Sequence, residues 1–330
     1  MKRLFVLFAF LLVSGAAFAQ EEKPQSEGTL MIVPRLEAEP TYDFDEKAWT
    51  FKNGTFASLW TVFDGNLGEH FSFSISNHWF TFDNSFQDAK DLYKHTWRCD
   101  ENNWVDWANV TAHFGNFSLT LGKDYIHFGT FEIDDYDYDA HWQMNSMLWN
   151  YYQVYQWGGS FGWTSNDEST SVLLQMTTDQ TMEKPFSSKN LGDYAYTLFG
   201  KHETDEVSLM GSISHCSLGW IGALGAELTL SDALTLRTDG YISDTYCSAS
   251  ARLTAALGQK ADLFVKGGFD VGSNELILDG RGINIGLGGY WYPLRDNRDL
   301  RIHALCDYDS IGDNLYLAAG ITYALNLKIF

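Results

Sequence analysis

The chain has 330 residues, with 22 Lys+Arg against 43 Asp+Glu and a formal charge of −21. A charge of that sign argues against nucleic acid as a partner. Aromatics make up 16%, with 29 Gly and only 5 Pro, which suits many strands joined by tight turns and not a disordered chain.

The first residues read as a secretory signal. Lys2 and Arg3 precede an apolar run from Leu4 to Val13, and Ala17-Phe18-Ala19 forms an A-x-A cleavage site. The expected division is a signal peptide over 1–19 and one outer-membrane barrel domain over 20–330. Gln20 stands where a lipoprotein anchor needs Cys, and the run is too short to span comfortably as an uncleaved anchor. No later stretch offers eighteen apolar residues in a row, which excludes a helical membrane protein and leaves only a closed barrel able to cross a bilayer.

Sixteen strands are expected in chain order, over 30–39, 55–64, 67–82, 103–115, 117–128, 150–165, 168–178, 192–203, 205–216, 219–231, 233–246, 247–258, 261–272, 281–293, 299–310 and 313–329. Pro34 weakens the first, and the second lacks clean alternation. Connections after even-numbered strands are short: "GNLG" near Gly65, "GN" at Gly115, "NDES" at Asn166, "TDE" at Thr204, "SDA" at Ser231, "GQKA" at Gly258 and "LRDNRD" at Leu294. Several connections after odd-numbered strands are long: 40–54, 83–102, 129–149 and 179–191. An even strand count with turns on one side and loops on the other is the pattern of an all-β, transmembrane antiparallel barrel with periplasmic turns and extracellular loops.

Strand faces agree with that reading. Val265, Gly267, Phe269 and Val271 alternate with Asp262, Lys266 and Asp270. Ile283, Ile285, Leu287 and Trp291 alternate with Asn284, Gly286 and Gly288, and Leu300, Ile302, Ala304 and Cys306 with Arg301, His303 and Asp307. The first set should face lipid and the second the lumen. Phe114, Trp163 and Trp291 fall near short-turn ends and Trp220 near a loop end, as two aromatic girdles require. The last strand should close on the first, and a terminal aromatic is a usual assembly signal. Phe330 nevertheless falls one residue out of the apolar phase that runs to Ile329, so a bulge before it is one reading. Cys99, Cys216, Cys247 and Cys306 match no metal or redox spacing; either Cys216 pairs with Cys247, both near strand ends, or all four are free, small apolar residues.

Sixteen strands leave an aqueous channel. Its candidate constriction is the loop "GTFEIDDYDYDAHWQMNSMLWN", residues 129–150, with five carboxylates, Glu132, Asp134, Asp135, Asp137 and Asp139. Folded inward they would attract cations and repel anions. On the outer surface they would meet lipopolysaccharide with its divalent ions, or water. The lumen-facing cations are Lys201, Arg237, Arg252, Lys266 and Arg301, with His303 beside them. Asp239, Asp262, Asp270 and Asp307 share those strands, so the wall either carries a transverse field or neutralises itself in salt bridges.

The stretch "LGKDYIHFGTFE", Leu121 to Glu132, resembles the G-[KR]-x-x-x-P-F-G motif of the phosphate-selective porin family of Gram-negative bacteria. The resemblance implies a sixteen-stranded trimeric porin taking up anions. His127 stands where that motif has Pro, and carboxylates follow where a phosphate path would want Arg. The pore and the homotrimer are therefore carried over and the phosphate is not. Expected partners are outer-membrane lipid, lipopolysaccharide and small solutes.

No nucleophile elbow, phosphate loop or metal-ligand spacing is present in the sequence, and no cofactor is expected. His127, Asp124, His141 and His303 could enter a barrel-embedded hydrolase, yet no motif ties any two together. An adhesin or assembly component is the other alternative, with aromatic-rich Asn77–Trp104 stacking on sugars or proteins.

Overall fold

The computed structural model describes residues 26–50, 56–82, 105–135, 144–181, 185–274, 278–294 and 297–330. The expected signal peptide, Asp137, Asp139, His141, Cys99 and most of the aromatic-rich segment lie outside them. One antiparallel sheet holds β1 (Glu27–Ala38), β2 (Thr41–Asp43), β3 (Ala48–Thr50), β4 (Phe56–Leu67), β5 (Phe71–Phe82), β6 (Val105–Phe114) and β7 (Phe117–Tyr125). It continues through β8 (Tyr155–Thr164), β9 (Thr170–Thr177), β10 (Ala195–Glu203), β11 (Val207–Cys216), β12 (Gly219–Ser231) and β13 (Leu234–Ser243). The remaining strands are β14 (Tyr246–Ala256), β15 (Ala261–Asn274), β16 (Leu278–Trp291), β17 (Leu300–Asp309), β18 (Asn314–Tyr323) and β19 (Leu325–Lys328). Here β2 and β3 form a small hairpin beside β18, and β18 and β19 are two pieces of one stave, so the closed barrel has sixteen staves.

Closure is made by β1. Along one edge it pairs with β4, and along the other with β18 (Arg35 opposite Thr322) and β19 (Thr29 opposite Lys328) in one continuous register. The pairing lapses around Pro34, which has no N–H to give to a ladder. That lapse divides the last stave at Ala324.

The outward face is apolar from stave to stave. Leu174, Ile213, Leu224, Ile283 and Leu287 are each about 60% exposed, Leu224 reaching 63%. Phe114, Phe117, Trp163 and Trp291 stand exposed at the short-turn end and Trp220 at the loop end, the inside-out pattern of a barrel that crosses a membrane. Buried polar residues, among them Ser212, Ser214, Asn284, His303 and Thr322, fill the inward positions instead.

Several boundaries differ from the sequence reading. The second stave runs on to Leu67, so the turn is Gly68–His70 and "GNLG" is mostly strand. The fifth ends at Tyr125 and the sixth begins at Tyr155, because residues 126–135 and 144–154 turn inward and carry two short helices. The hairpin of β2 and β3 inside 40–54 was not expected. Cys216, Cys247 and Cys306 are free thiols. Cys216 points inward from β11 and Cys247 outward from β14, three staves away, so that disulfide cannot form.

Phe330 is brought into phase by a two-on-one arrangement. Ile329 N–H donates to Gly28 O (2.8 Å), while Gly28 N–H donates to Phe330 O (3.1 Å). Two residues face one, which is a bulge, and both side chains then lie on the outer face. The Phe330 ring reaches Phe63 at 6.4 Å and occupies the space a Cβ on Gly28 would need, 2.7 Å away. Gly28→Leu should therefore lower the midpoint of thermal unfolding, and Phe330→Ala should remove much of that loss, a coupling of about 1 kcal/mol for touching residues. The unheated-to-heated mobility shift on detergent gels, followed against temperature, measures it; strictly additive effects would mean that the ring does not sit on Gly28.

Candidate functional site in the barrel lumen

The described parts of the connection between β7 and β8, residues 126–135 and 144–154, fold into the barrel. The connection carries two short helices, α1 (Phe131–Asp134) and α2 (Met147–Tyr151). Its apolar side chains Ile126, Phe128, Ile133, Leu148, Trp149 and Tyr152 pack against inward residues of the wall, including Ala195, Cys216, Ile221, Tyr241 and Tyr246. A hydrophobic core thus sits inside the lumen, on one side of it.

Polar anchors reach the loop from β11, β13, β14 and β15. Ser212 Oγ donates to Phe128 O (2.8 Å), Asp239 Oδ1 accepts from Phe131 N–H (2.7 Å), and Asp270 Oδ1 accepts from Met147 N–H (3.1 Å). Tyr246 hydroxyl takes Leu148 N–H (3.2 Å) and itself donates to Asp270. Tyr152, beyond α2, donates its hydroxyl to Asp179 (3.0 Å). Burial, with Cys216 and Asp179 nearby, holds that phenol well above its ordinary pKa, so it stays a donor. The chain enters this arrangement at Gly129, whose φ is +74°; a Cβ there would come within 2.5 Å of the Gly211 backbone. Only glycine on the loop allows that backbone-to-backbone approach.

The expected site residues divide into distinct environments. Glu132 is 5% and Lys266 6% exposed; Lys266 Nζ donates to Glu132 Oε1 (2.6 Å) and to Asn145 Oδ1 (2.6 Å). Ser146 N–H completes the cage around the carboxylate at 3.2 Å. Asp134 is also held: His127 Nδ1 lies 2.8 Å from Oδ1, and Gly129 N–H donates to Oδ2 at 2.7 Å. Asp135 remains half exposed and pairs with Arg237 (2.7 Å), which also holds Glu227 and lies 4.9 Å over the Phe131 ring. Lys201, partly exposed, pairs with Glu203 (2.7 Å). Arg252 lies 4.1 Å over Phe264 and donates to the Tyr290 hydroxyl (3.3 Å). Arg301 faces the lumen from β17 opposite Thr322. His303 is buried against Glu37 on the closing stave, remote in topology from His127.

The departure from the family motif has a local reason. His127 donates its backbone N–H to Gln175 Oε1 (3.3 Å), which proline could not do, and its ring holds Asp134. Burial opposes charge on His127, but the Asp134 hydrogen bond, with Asp134 and Asp124 as negative neighbours, prevails and raises its pKa above the ordinary 6.5.

Residues missed as anchors are Asp239, Asp270, Tyr241, Tyr246 and Asn145. The strand phase marks the first four as inward, yet nothing in a single sequence pairs them with a loop about a hundred residues away. Between the loop and the short-turn end lies a cavity of about 450 Å³, bordered by His127, Phe131, Asp135, Lys201, Ser208 and Arg237 among others.

No protein-family model and no curated protein matches the sequence. Solved structures do match in shape. The OmpF complex with daunomycin from Salmonella typhi aligns with TM-score 0.60 at 11% identity over 90% of this chain and 97% of that one. A loop L8 deletion mutant of OmpT, an outer membrane protein of Vibrio cholerae, gives 0.59 at 11% identity over 90% and 99%. The anion-selective porin of Comamonas acidovorans gives 0.57 at 9% identity over 91% and 100%. These likenesses establish a porin-type barrel fold.

Two outcomes follow. Glu132→Gln should cost about 3–5 kcal/mol in a denaturant titration, because it leaves Lys266 buried and charged, and joint replacement by Glu132→Leu with Lys266→Met should cost less. A double variant as unstable as the single one would contradict the pairing. The raised His127 pKa makes the charged ring a stabilising form. That contribution is full below pH 6.5, the unfolded value, and fades as pH climbs through the raised folded value. Thermal midpoints of the wild type should fall over that interval relative to His127→Gln; parallel pH curves would remove the ion pair from the account.

Proposed function

We propose that this protein is an outer-membrane channel through which small hydrophilic or ionic solutes diffuse passively. One observation carries the reading: an apolar exterior encloses a polar lumen that a charged loop enters from within. The porin-type fold supports it, as does the number of staves, which leaves an aqueous passage in barrels of this size. Cleavage of residues 1–19, residence in the outer membrane with lipid and lipopolysaccharide around the barrel, and a homotrimer belong to the same proposal.

The loop narrows the lumen, but its acids are not equivalent. Glu132 and Lys266 cancel each other out of reach of water, and Asp134 is consumed by His127 and backbone N–H groups. Ion preference then rests on charges that still meet water, chiefly Asp135 and Arg237 with side chains 56% and 30% exposed. Channel lining by Lys201, Arg252 and Arg301 adds a basic contribution.

In planar bilayers the purified protein should give stepwise conductance. Asp135→Asn should move the reversal potential in a salt gradient toward anions, and Arg237→Glu toward cations. Both shifts should be plain at 0.1 M salt, where the Debye length is about 10 Å, and fade near 1 M, where it is about 3 Å. A silent bilayer would overturn the channel reading; conductance with unmoved reversal potentials would overturn only the assignment of selectivity.

A further inference from the structure

We propose that the cavity between the inward loop and the short-turn end is a binding site for a small organic amine, holding its primary ammonium group. The proposal rests on the channel reading for access and deepens it by naming a solute class.

The polar wall of the cavity is set by strand register. Glu203 on β10 lies opposite Ser208 on β11, and Ser208 lies opposite Glu227 on β12. Three inward side chains therefore stand in one row at strand spacing, about 4.8 Å apart. Ser208 is only 6% exposed, and among the described residues its hydroxyl has no hydrogen-bond partner. A buried hydroxyl without a partner is disfavoured unless something fills the adjoining space. Here the adjoining space is a cavity of about 450 Å³ with Ser208 in its lining, within the range of small-molecule pockets.

An ammonium group brings three N–H donors and no acceptor. The row offers it carboxylate, hydroxyl and carboxylate. Glu203 already accepts such a group, from Lys201 Nζ at 2.7 Å. Each carboxylate has about four lone-pair sites, so neither Lys201 at Glu203 nor Arg237 at Glu227 exhausts its partner. Charge points the same way. Asp135, Glu203 and Glu227 face Lys201 and Arg237, while Asp134 and His127 hold each other. Three carboxylates against two cations leave one negative charge for a ligand to balance. Phe131, Phe199 and Met210 border the same space as an apolar cluster, which suits an aliphatic or aromatic body. An organic anion in that position would meet three carboxylates, and the two cations it could use, Lys201 and Arg237, are already engaged by them.

The test is calorimetric titration of the full chain, folded in detergent, with 2-phenylethylammonium chloride. Its carboxylate counterpart 3-phenylpropionate and its alcohol counterpart 2-phenylethanol serve as controls. Saturable binding of the amine alone is expected. Ser208→Ala and Glu227→Gln should each weaken it about tenfold, one hydrogen bond to a charged group being worth that much, and Ser208→Thr, which keeps the hydroxyl, should retain most of the affinity. Each variant's fold is checked by its heat-dependent gel mobility, and should one fail to fold, the wild-type comparison of the three probes still decides. Absence of saturable heat, equal binding of 3-phenylpropionate, or a folded Ser208→Ala of unchanged affinity overturns the site. Saturable heat with no bilayer conductance would leave the site standing and remove the channel, and conductance without heat would do the reverse.

Discussion

Backbone pairing around a closed ring is the constraint on which the rest of the molecule depends. Hydrocarbon offers no hydrogen bonds, so an unpaired N–H or C=O facing it costs several kcal/mol. The sheet meets this by giving β1 partners on both edges, β4 on one side and the last stave on the other. The one lapse in that seam falls beside Pro34, the residue with no N–H to leave unsatisfied. One of the two weakest expected strands is thus the one that closes the barrel, at a place where its irregular residue does least harm.

A second constraint operates on the inside. Charges removed from water must be paired, and a loop drawn into the lumen must recover the entropy lost in ordering it. Apolar packing of Phe128, Leu148 and Tyr152 supplies part of that. The remainder is charge-assisted: Asp239 and Asp270 accept loop N–H groups, and Lys266 meets Glu132. Asp239 and Asp270 are consequently anchors rather than free lumen charges, and part of the strongly negative composition holds backbone.

Much of this architecture was legible. Alternation of period two located most staves, the second being the exception, because a barrel wall forces each inward residue to differ from its outward neighbours. The asymmetry of the connections gave the barrel its two ends. What escaped were the continuation of β4 to Leu67, the hairpin of β2 and β3, and the choice between an inward and an outer course for the loop, which contacts distant in sequence decide. Carboxylates in the loop were visible, but their fates were not. Glu132 and Asp134 look alike in sequence to Asp135; burial against Lys266, against His127, or at the edge of water separates them. Phe330 looked out of phase because phase was counted along one strand, whereas a bulge is a property of two.

The register explains why the loop lies as it does. Arg237, Arg252 and Lys266 stand directly opposite one another on β13, β14 and β15. Like charges facing across strands repel, so this part of the wall, taken bare, would oppose its own sheet. The row continues on the other side as Glu227, Ser208 and Glu203, so along this one row bases and acids occupy separate staves. An acidic loop entering such a barrel has one favourable place to settle, the basic half. There Glu132 goes to Lys266 and Asp135 to Arg237, while Arg252 between them rests on the Phe264 ring. The two acids lie three positions apart, one in α1 and one at its C-terminal end, which lets them reach along the row instead of crossing it. Where α1 covers the wall, Glu132 and Asp135 each meet a base of this row, while Glu227 and Glu203 border the cavity beneath.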